Sequence, residues 1–308
     1  MMEDILKREL NVKSVKVTGG PLGGCISDGR SYETDSGKYF VKVNTKSEAK
    51  RMFDGEFESL KAIRSTEVIK VPTPVKILAH PSKNGTIFIM ENLDMSGLDK
   101  QSARLGEQLA RLHLHNDELR KQETANQKYV GKANSVTPVG QFGFHVTTCC
   151  GYLPSNNEWK TDWLEFYAQN RLKEHLDMIE KTDGDRECRE LWPQLERKMP
   201  EFFQGLTVKP ALLHGDMWSG NVGETDTEPV IFDPASFYGH SEFDLAIAGM
   251  FGGFSKRFYD AYHSLIPKQP GHDKRQELYQ LYHYLNHWNH FGSGYRGKSV
   301  GIMKNLLT

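Results

Sequence analysis

Residues 212–222, LLHGDMWSGNV, constrain this chain more than any other segment. An apolar, strand-like run leads directly into His-Gly-Asp, and Asn221 follows Asp216 by five residues. A second strand-like run, PVIFD, ends at Asp233, twelve residues after Asn221. Two strands around a polar loop keep these three side chains close along the chain, so we expect the fold to gather them in one site.

An Asp, an Asn five residues later and an Asp after the following strand form the set with which protein kinases transfer a phosphoryl group. The first Asp accepts the hydroxyl proton, and the other two side chains offer the hard oxygen ligands that Mg²⁺ prefers. The pattern makes Asp216 the candidate proton acceptor and Asn221 and Asp233 the candidate magnesium ligands. An ordinary turn is the structural alternative, since Asp and Asn favour turns generally.

Residues 18–30, TGGPLGGCISDGR, are glycine-rich and lie between two strand-like runs. Where side chains are absent, the backbone can approach a phosphate closely. The candidate nucleotide contacts in this stretch are Gly23, Gly24, Cys25 and Ile26. The stretch lacks the Lys-Ser/Thr pair of a GxxxxGK[ST] loop, and a plain hairpin is the alternative.

Lys42 and Glu56 are the next candidates. Lys42 lies in the strand-like run FVKV, where alternation places it on one face with Phe40 and Asn44. Glu56 lies inside the apolar stripe of a helix predicted over residues 47–64. A carboxylate on a buried helix face needs a partner, and Lys42 is the natural candidate. The alternatives are a solvated strand lysine and a glutamate at the helix edge that reaches water.

The chain changes character near residue 95. Residues 1–94 contain short strand-like runs around one helix, and the run VPTPV is expected to break the chain with two prolines. Residues 95–308 are mostly helical by periodicity, except for a polar, irregular stretch at 122–137 that predicts an exposed loop. These patterns predict an α+β, protein-kinase-like fold of two lobes, with a nucleotide-binding lobe at 1–94 and a catalytic lobe at 95–308.

Composition excludes several classes of function. The net charge of −1 provides no global basic field for nucleic acid, and no apolar run reaches the length of about 18 residues that a membrane span needs. The four cysteines show no CxxC pair and no zinc spacing, which is typical of a reducing compartment. The charged N-terminal run MMEDILKREL lacks the apolar core of a signal peptide. We expect a cytoplasmic protein without nucleic-acid or membrane partners.

The order of these elements is similar to that of the kinase-like phosphotransferases of small molecules, such as aminoglycoside and choline kinases. Longer strings resemble the fructosamine kinase family over nearly the whole chain: GGCIS, FVKVN, FGFHVTTCCGYLP, PALLHGDMWSGNV, DPASFYGHSEFDLAIAGMFGGF and YQLYHYLNHWNHFGSGYRG. The resemblance implies phosphorylation, with ATP and Mg²⁺, of the 3-hydroxyl of ketosamines, the adducts that reducing sugars form on lysines and N-termini. The phosphorylated adduct would lose phosphate and the sugar fragment, which frees the amine.

The resemblance also implies roles and substrates. Lys42 and Glu56 become the ion pair that orients the phosphates, and the hinge that binds adenine is formed by Ile89, Met90 and Glu91. The implied acceptors are glycated proteins and free ketosamines. Within the family, the match favours ribulosamines and psicosamines over fructosamines.

Several residues allow two interpretations. Trp218, His287 and Trp288 are candidates for the substrate wall, with plain packing as the alternative. His214 is expected to brace the catalytic loop by hydrogen bonding, and Asp244 is expected to hold that loop in place.

Cys25 carries a regulatory hypothesis. Its oxidation, including a disulfide between two chains, would distort the glycine-rich stretch and stop activity. The alternative is a small loop residue with no regulatory role. The expected assembly is therefore a monomer or a redox-dependent homodimer.

Two other classes of function stay open on the sequence. Another small-molecule kinase of the choline or aminoglycoside type would share every phosphate-handling residue, because the fold leaves the acceptor undetermined. A non-catalytic, redox-sensitive nucleotide-binding scaffold would bind nucleotide without transferring phosphate. A panel of acceptors discriminates between these possibilities.

Overall fold

The computed structural model describes residues 2–19, 22–23, 27–81, 84–126 and 137–308. The strands of its N-terminal part are β1 (Val15–Val17), β2 (Leu22–Gly23), β3 (Asp28–Thr34), β4 (Gly37–Asn44), β5 (Pro74–Ala79) and β6 (Thr86–Glu91). These described strands form one antiparallel sheet in the order β1-β3-β4-β6-β5, with β2 paired to β3. The helices beside the sheet are α1 (Met2–Leu10) and α2 (Ala49–Ser65).

The sheet buries a different helix on each face. Val41 and Ile89 pack with Leu6 of α1 in a small cluster on one face. On the other face, Phe88 packs against Phe53 of α2, with ring centroids 5.7 Å apart. Because strand side chains alternate, Lys42 lies on the same face as α2. The sheet thus presents this lysine to the helix that carries Glu56.

Three strands of this sheet, β2, β3 and β5, were not predicted from the sequence. The strand β3 begins inside the segment taken as glycine-rich loop, and its polar alternation reflects one solvated face. The strand β5 starts at Pro74, where the sequence predicted only a break. Pro74 fits because β5 is the edge strand of the described sheet, and proline is tolerated at an edge.

The C-terminal part is mostly helical, as expected. Its helices are α3 (Ser102–Asn126), α4 (Trp163–Tyr167), α5 (Glu174–Asp183), α6 (Arg186–Lys198), α7 (Glu242–Met250), α8 (Lys256–Leu265), α9 (His272–Phe291) and α10 (Arg296–Leu307). Its short strands are β7 (Thr148–Cys150), β8 (Leu153–Ser155), β9 (Ala211–Leu212), β10 (Val222–Glu224), β11 (Pro229–Ile231) and β12 (Tyr238–Gly239). They pair as β7 with β8, β10 with β11, and β9 with β12.

The exposed loop predicted at residues 122–137 was wrong in its first part. Residues 122–126 continue α3, because a polar helix end can run on into solvent once the preceding turns are packed. Residues 127–136 lie outside the described part of the chain. Of the strands here, the sequence predicted only the two runs that flank the polar loop, because strands of two or three residues are too short to show alternation.

The helices α7 and α9 form the centre of the C-terminal part. The side chains of α7 from Glu242 to Ala248 are all buried, so this helix is covered on every side. Its Glu242 forms a buried bidentate ion pair with Arg275 of α9, with both N–O distances at 2.8 Å. This pair fixes the two helices against each other, since removing one partner would leave a buried charge.

The connection between the two parts is short. The strand β6 ends at Glu91 and α3 begins at Ser102, and the predicted lobe boundary at 94/95 falls within this connection. The carboxylate of Glu224 accepts the backbone N–H groups of Asp99 and Gln101, at 2.9 and 2.8 Å. A distant residue thereby holds the start of α3. In the described residues, we find no helix with the length and apolar character that crossing a bilayer requires.

Gly106 tests the packing of α3 against α8. A Cβ at this position would overlap the backbone carbonyl of Phe258, whereas a Cβ at Gly301 in α10 would meet nothing within 4 Å. We expect Gly106→Ala to lower the free energy of unfolding by about 1–3 kcal/mol through overpacking. Gly301→Ala should leave it unchanged or raise it by up to about 1 kcal/mol, because alanine favours helix. Urea denaturation measures both variants, and equal stabilities would contradict this close packing.

Candidate active site

The His-Gly-Asp turn needs its glycine. Gly215 has φ of +85°, a conformation that residues with a side chain rarely adopt. A Cβ there would also overlap the carbonyl oxygen of Ala235. The backbone N–H of Ala235 donates to the carbonyl of His214 at 2.8 Å. The turn therefore packs tightly onto the chain that follows β11, which brings Asp216 towards Asp233.

Asp244 of α7 anchors this turn through hydrogen bonds to its backbone. Its fully buried carboxylate accepts the backbone N–H of His214 at 2.7 Å and that of Gly215 at 2.8 Å. His113 of α3 contacts the same carboxylate at 3.1 Å, and its other ring nitrogen lies 2.8 Å from the hydroxyl of Tyr262. Burial opposes ionisation of Asp244, but these contacts hold its pKa below the usual value. The structure confirms the expected role of Asp244 in holding the loop.

His214 braces the loop, also as expected. Its Nδ1 accepts the backbone N–H of Asp216 at 3.2 Å, so Nε2 carries the proton and donates to the carbonyl of Phe232 at 2.9 Å. Burial lowers the pKa of this imidazole, which keeps it neutral. The backbone uses both ring nitrogens of His214, so Asp216 stays the candidate base of this loop.

Asp216 and Asn221 meet across the loop. The Nδ2 of Asn221 donates to the backbone carbonyl of Asp216 at 2.9 Å and to its Oδ2 at 3.0 Å. Burial raises the pKa of the Asp216 carboxyl to about 7, with a smaller contribution from the charges of Asp233 and Asp244. A carboxyl with a pKa near neutrality suits a group that must accept a proton.

Lys42, Glu56 and Asp233 converge from three elements. The Nζ of Lys42 lies 2.7 Å from Oε1 of Glu56 and 2.7 Å from Oδ1 of Asp233. Burial alone would lower the pKa of Lys42, but the two carboxylates raise it well above the usual range. Glu56 is the carboxylate inside the apolar stripe of α2, and the partner expected for it is present.

Asp233 has an unusual backbone. Its φ is +56°, in the left-handed region that costs a residue with a side chain roughly 1 kcal/mol or more. Its side chain is 45% exposed, so part of the carboxylate faces the cleft. Held strain of this kind is found at functional sites, where the surrounding structure fixes one side-chain direction.

The predicted hinge residues face different surroundings. Ile89 pairs with Val41 across the strands and packs on the sheet face opposite Lys42, so its side chain cannot line the cleft. Because side chains alternate along β6, an adenine contact of Ile89 would come from its backbone, and the predicted hinge role stays a prediction. Met90 is buried in the main core. Glu91 is engaged by Thr73, whose hydroxyl donates to Oε2 at 2.7 Å, and by Lys70 at 3.0 Å.

The three residues predicted to form the substrate wall do not lie together. Trp218 is 38% exposed, and its ring centroid lies 6.2 Å from that of Phe251. The ring of Phe251 in turn lies 5.3 Å from that of His287, which places Trp218 and His287 in one aromatic group. Trp288 is 2% exposed and its indole N–H donates to Asp183 at 2.6 Å. Packing is thus the interpretation that fits Trp288, and we leave it out of the candidate site.

The glycine-rich stretch is only partly described. Gly23 lies in β2 and pairs with Asp28 of β3. Gly24, Cys25 and Ile26 lie outside the described residues, so their predicted nucleotide contacts and the redox hypothesis for Cys25 stay predictions.

Phe251 and Glu224 were missed from the sequence. Phe251 is 47% exposed beside Trp218, and the available signal was a large aromatic residue directly before two glycines, in MFGGF. Glu224 gave no signal, because its partners lie more than 120 residues earlier in the chain.

A sheet that supplies Lys42 faces a helical part that supplies Asp216, Asn221 and Asp233, and this arrangement defines a kinase-like phosphotransferase. The solved structure of aminoglycoside phosphotransferase APH(4)-Ia shares the fold, with a TM-score of 0.60 at 14% identity over 99% of this chain and 98% of its own. A family model described as fructosamine kinase matches residues 2–308. The chain belongs to the fructosamine kinase family.

Individual relatives agree with this membership. The chain is 58% identical to ketosamine-3-kinase of Mus musculus over 99% of both chains. It is 39% identical to the chloroplastic protein-ribulosamine 3-kinase of Arabidopsis thaliana, over 96% of this chain and 84% of that one. A solved candidate fructosamine-3-kinase from Thermobifida fusca has a TM-score of 0.77 at 25% identity, covering 99% of this chain and 98% of its own.

Asp244 provides a direct test of the loop anchor. We expect Asp244→Asn to lower the free energy of unfolding by about 2–4 kcal/mol, because one buried backbone N–H would face an amide donor instead of an oxygen. Asp260→Asn is the matched control, since Asp260 is 60% exposed and forms an ion pair with Lys256 on the surface of α8. That change should stay within about 0.5 kcal/mol. Thermal denaturation of both variants measures the difference, and an Asp244→Asn protein as stable as the control would refute the anchor.

Proposed function

We propose that this protein is a ketosamine 3-kinase, which uses ATP and Mg²⁺ to phosphorylate the 3-hydroxyl of sugar adducts on lysine amines. The acceptors are ribulosamines and psicosamines, with fructosamines as further substrates, either free or on glycated proteins. The observation that carries the proposal is that Asn221 bonds to Asp216 and to the backbone of Phe232, beside Asp233, whose charge acts on Asp216 and whose carboxylate contacts Lys42. The chain also has full-length relatives named for this activity. Loss of phosphate and sugar fragment from the product would complete protein deglycation.

Asp216 is the proposed catalytic residue. As the 3-oxygen of the sugar bonds to the γ-phosphorus, the bond from that phosphorus to the bridging oxygen of ADP breaks. The carboxylate of Asp216 takes the hydroxyl proton, and its raised pKa makes it a competent acceptor near neutral pH. The hydrogen bond from Asn221 fixes which carboxylate oxygen is free. Removing Asp216 therefore removes the acceptor and leaves the nucleotide site in place.

The residues proposed for magnesium fit that ion. Asp233 offers a carboxylate that is partly exposed, and no hydrogen bond among the described residues uses the Oδ1 of Asn221. Both are hard oxygen donors, and two protein ligands suffice where phosphates supply the others. Magnesium, when bound, neutralises charge on the phosphates. In the described chain, Asp233 instead contacts Lys42, so the same carboxylate serves both the ion pair and the metal site.

Lys42 is the proposed phosphate-orienting cation. Glu56 fixes the position of its ammonium group, and both side chains are only 12% exposed. Partial burial strengthens the attraction of the ammonium for phosphate oxygens, because less water screens it. Gly23, Gly24, Cys25 and Ile26 are proposed to cover the phosphates, and the backbone near Met90 and Glu91 is proposed to receive adenine. Cytoplasmic location and a monomeric or redox-dependent dimeric state stay predictions from the sequence.

Phosphoryl transfer to a panel of acceptors tests the proposal. Mg·ATP is supplied with ribulose-lysine, fructose-lysine, choline or an aminoglycoside, and mass spectrometry identifies the product. We expect transfer to ribulose-lysine, with Asp216→Asn lowering kcat by about 10²- to 10⁴-fold, the usual contribution of a general base. Calorimetry should show unchanged ATP binding in that variant. Transfer to choline or the aminoglycoside alone would show that the acceptor is not a ketosamine. ATP binding without any transfer would indicate a non-catalytic scaffold.

The pH dependence tests the base separately. Because the pKa of Asp216 is raised to about 7, the reactive carboxylate form should decline as the pH falls below that value. We expect kcat/KM for ribulose-lysine to level off above about pH 7 and to fall towards tenfold per pH unit below it. Initial rates between pH 5.5 and 8.5 on enzyme of verified stability measure this profile. A flat profile down to pH 5.5 would exclude Asp216 as a base with a raised pKa.

A further inference from the structure

An exposed row of aromatic rings begins beside the candidate base. The aromatic row consists of Trp218, Phe251, His287, Phe291 and Tyr295. Neighbouring ring centroids lie 6.2 Å apart for Trp218 and Phe251, and 5.3 Å apart for Phe251 and His287. His287 lies 5.7 Å from Phe291 and 5.2 Å from Tyr295. The row thus runs from the catalytic loop, past the end of α7, to the end of α9.

Three of the five rings of the row are exposed to solvent, and His287 and Tyr295 are half-buried. Trp218, Phe251 and Phe291 are 38%, 47% and 61% exposed, and they make up half of the six large hydrophobic residues found exposed in the described chain. Scattered exposed apolar residues are ordinary, but a contiguous group at the mouth of a site indicates an interaction surface. The rings contact one another edge to face or tilted, which is a common arrangement of aromatic side chains.

The row carries no charge of its own. The segments that form it, residues 217–220, 250–254 and 287–295, contain no Asp, Glu, Lys or Arg. The surface that these segments themselves offer is mainly apolar and aromatic, and apolar or aromatic groups are its complementary chemistry. Nucleic acid is disfavoured for the same reason, because phosphate neutralisation needs cations.

The position of the aromatic row indicates which part of the substrate contacts it. The proposed acceptor is a sugar attached to a lysine amine, and its 3-hydroxyl must reach Asp216. The lysine stem and the polypeptide that carries it leave from the other end of the sugar. The row starts two residues from Asp216 and offers a continuous path along the surface.

We propose that the aromatic row binds the polypeptide that flanks the glycated lysine, in an extended conformation, through apolar and aromatic side chains of that polypeptide. This inference rests on the proposed function and deepens it. The enzyme then distinguishes protein-bound adducts by their neighbours in sequence. Lysines beside leucine or phenylalanine are preferred over lysines in a glycine- and serine-rich setting, while a free adduct uses only the sugar site.

Phe291 is the residue to change, because it is the most exposed ring of the row and lies at the end of α9. Three acceptors are compared: the ribulosamine of an acetylated lysine amide, a peptide with ribulose-lysine between Leu and Phe residues, and the same peptide with Gly and Ser flanks. Val75→Ser is the matched control, since Val75 is 39% exposed on the edge strand β5.

For Phe291→Ser, we expect KM for the Leu/Phe peptide to rise about threefold to tenfold with kcat unchanged, as loss of an aromatic contact predicts. KM for the lysine amide and for the Gly/Ser peptide should stay within about twofold. Val75→Ser should change none of the three. Tyr295→Ser should raise the same KM. This second variant shows whether the change comes from the aromatic row or from a distortion at position 291 alone.

The outcomes separate the two proposals. Equal KM values of the unmodified enzyme for both peptides, or equal effects of Phe291→Ser on all acceptors, would overturn the aromatic row as a peptide site while ketosamine kinase activity stands. Failure to phosphorylate even the lysine amide would overturn the proposed function and this inference with it. Light scattering is run beside the kinetics, and a dimer that dissociates on Phe291→Ser without a change in peptide KM would make the row a self-association surface instead.

Discussion

One buried cation connects the two parts of this molecule. Lys42 comes from the sheet, Glu56 from the helix packed on that sheet, and Asp233 from the segment that follows β11 in the helical part. Burying the charged lysine alone would cost free energy, because its ammonium group loses water. The charge is therefore stable only while both carboxylates stay within contact. The position of α2 against the sheet and of β11 against α2 is thereby tied to one ammonium group. A phosphate that replaced the Asp233 contact would be held at the boundary of the two parts.

A second buried charge shapes the acceptor side. Asp244 is fully buried, and hydrogen bonds from two backbone N–H groups and from His113 satisfy its carboxylate. Because those N–H groups belong to His214 and Gly215, the same bonds that stabilise the anion fix the turn that carries Asp216. Burial of Asp216 then raises its pKa to about 7, so packing and proton chemistry have one physical cause. Hydrogen bonds hold the loop next to Asp216, the candidate base, and the loop is exposed at Trp218.

The residues proposed to bind phosphate and those proposed to bind the acceptor differ in how they are held. The groups proposed to handle phosphate are held by ion pairs and backbone contacts, which suits a donor that is always the same. The groups proposed to surround the acceptor are aromatic and partly exposed, which suits substrates that share a sugar but differ in what the sugar is attached to. Family membership and the fold are consistent with both sets of groups. Only the groups proposed to surround the acceptor distinguish one acceptor class from another.

Sequence alone determined the elements with strong local signals: the loop with Asp216 and Asn221, the helix with Glu56 in its apolar stripe, and the two-part α+β architecture. Those features follow from spacing, which is a property of neighbouring residues. Only the tertiary structure decided that Ile89 faces away from the cleft and that Trp288 is buried against Asp183. It also decided that Phe251 joins Trp218 and His287 in one exposed row. Each of these depends on which face of an element meets a distant segment, and that is set by packing between residues far apart in the chain.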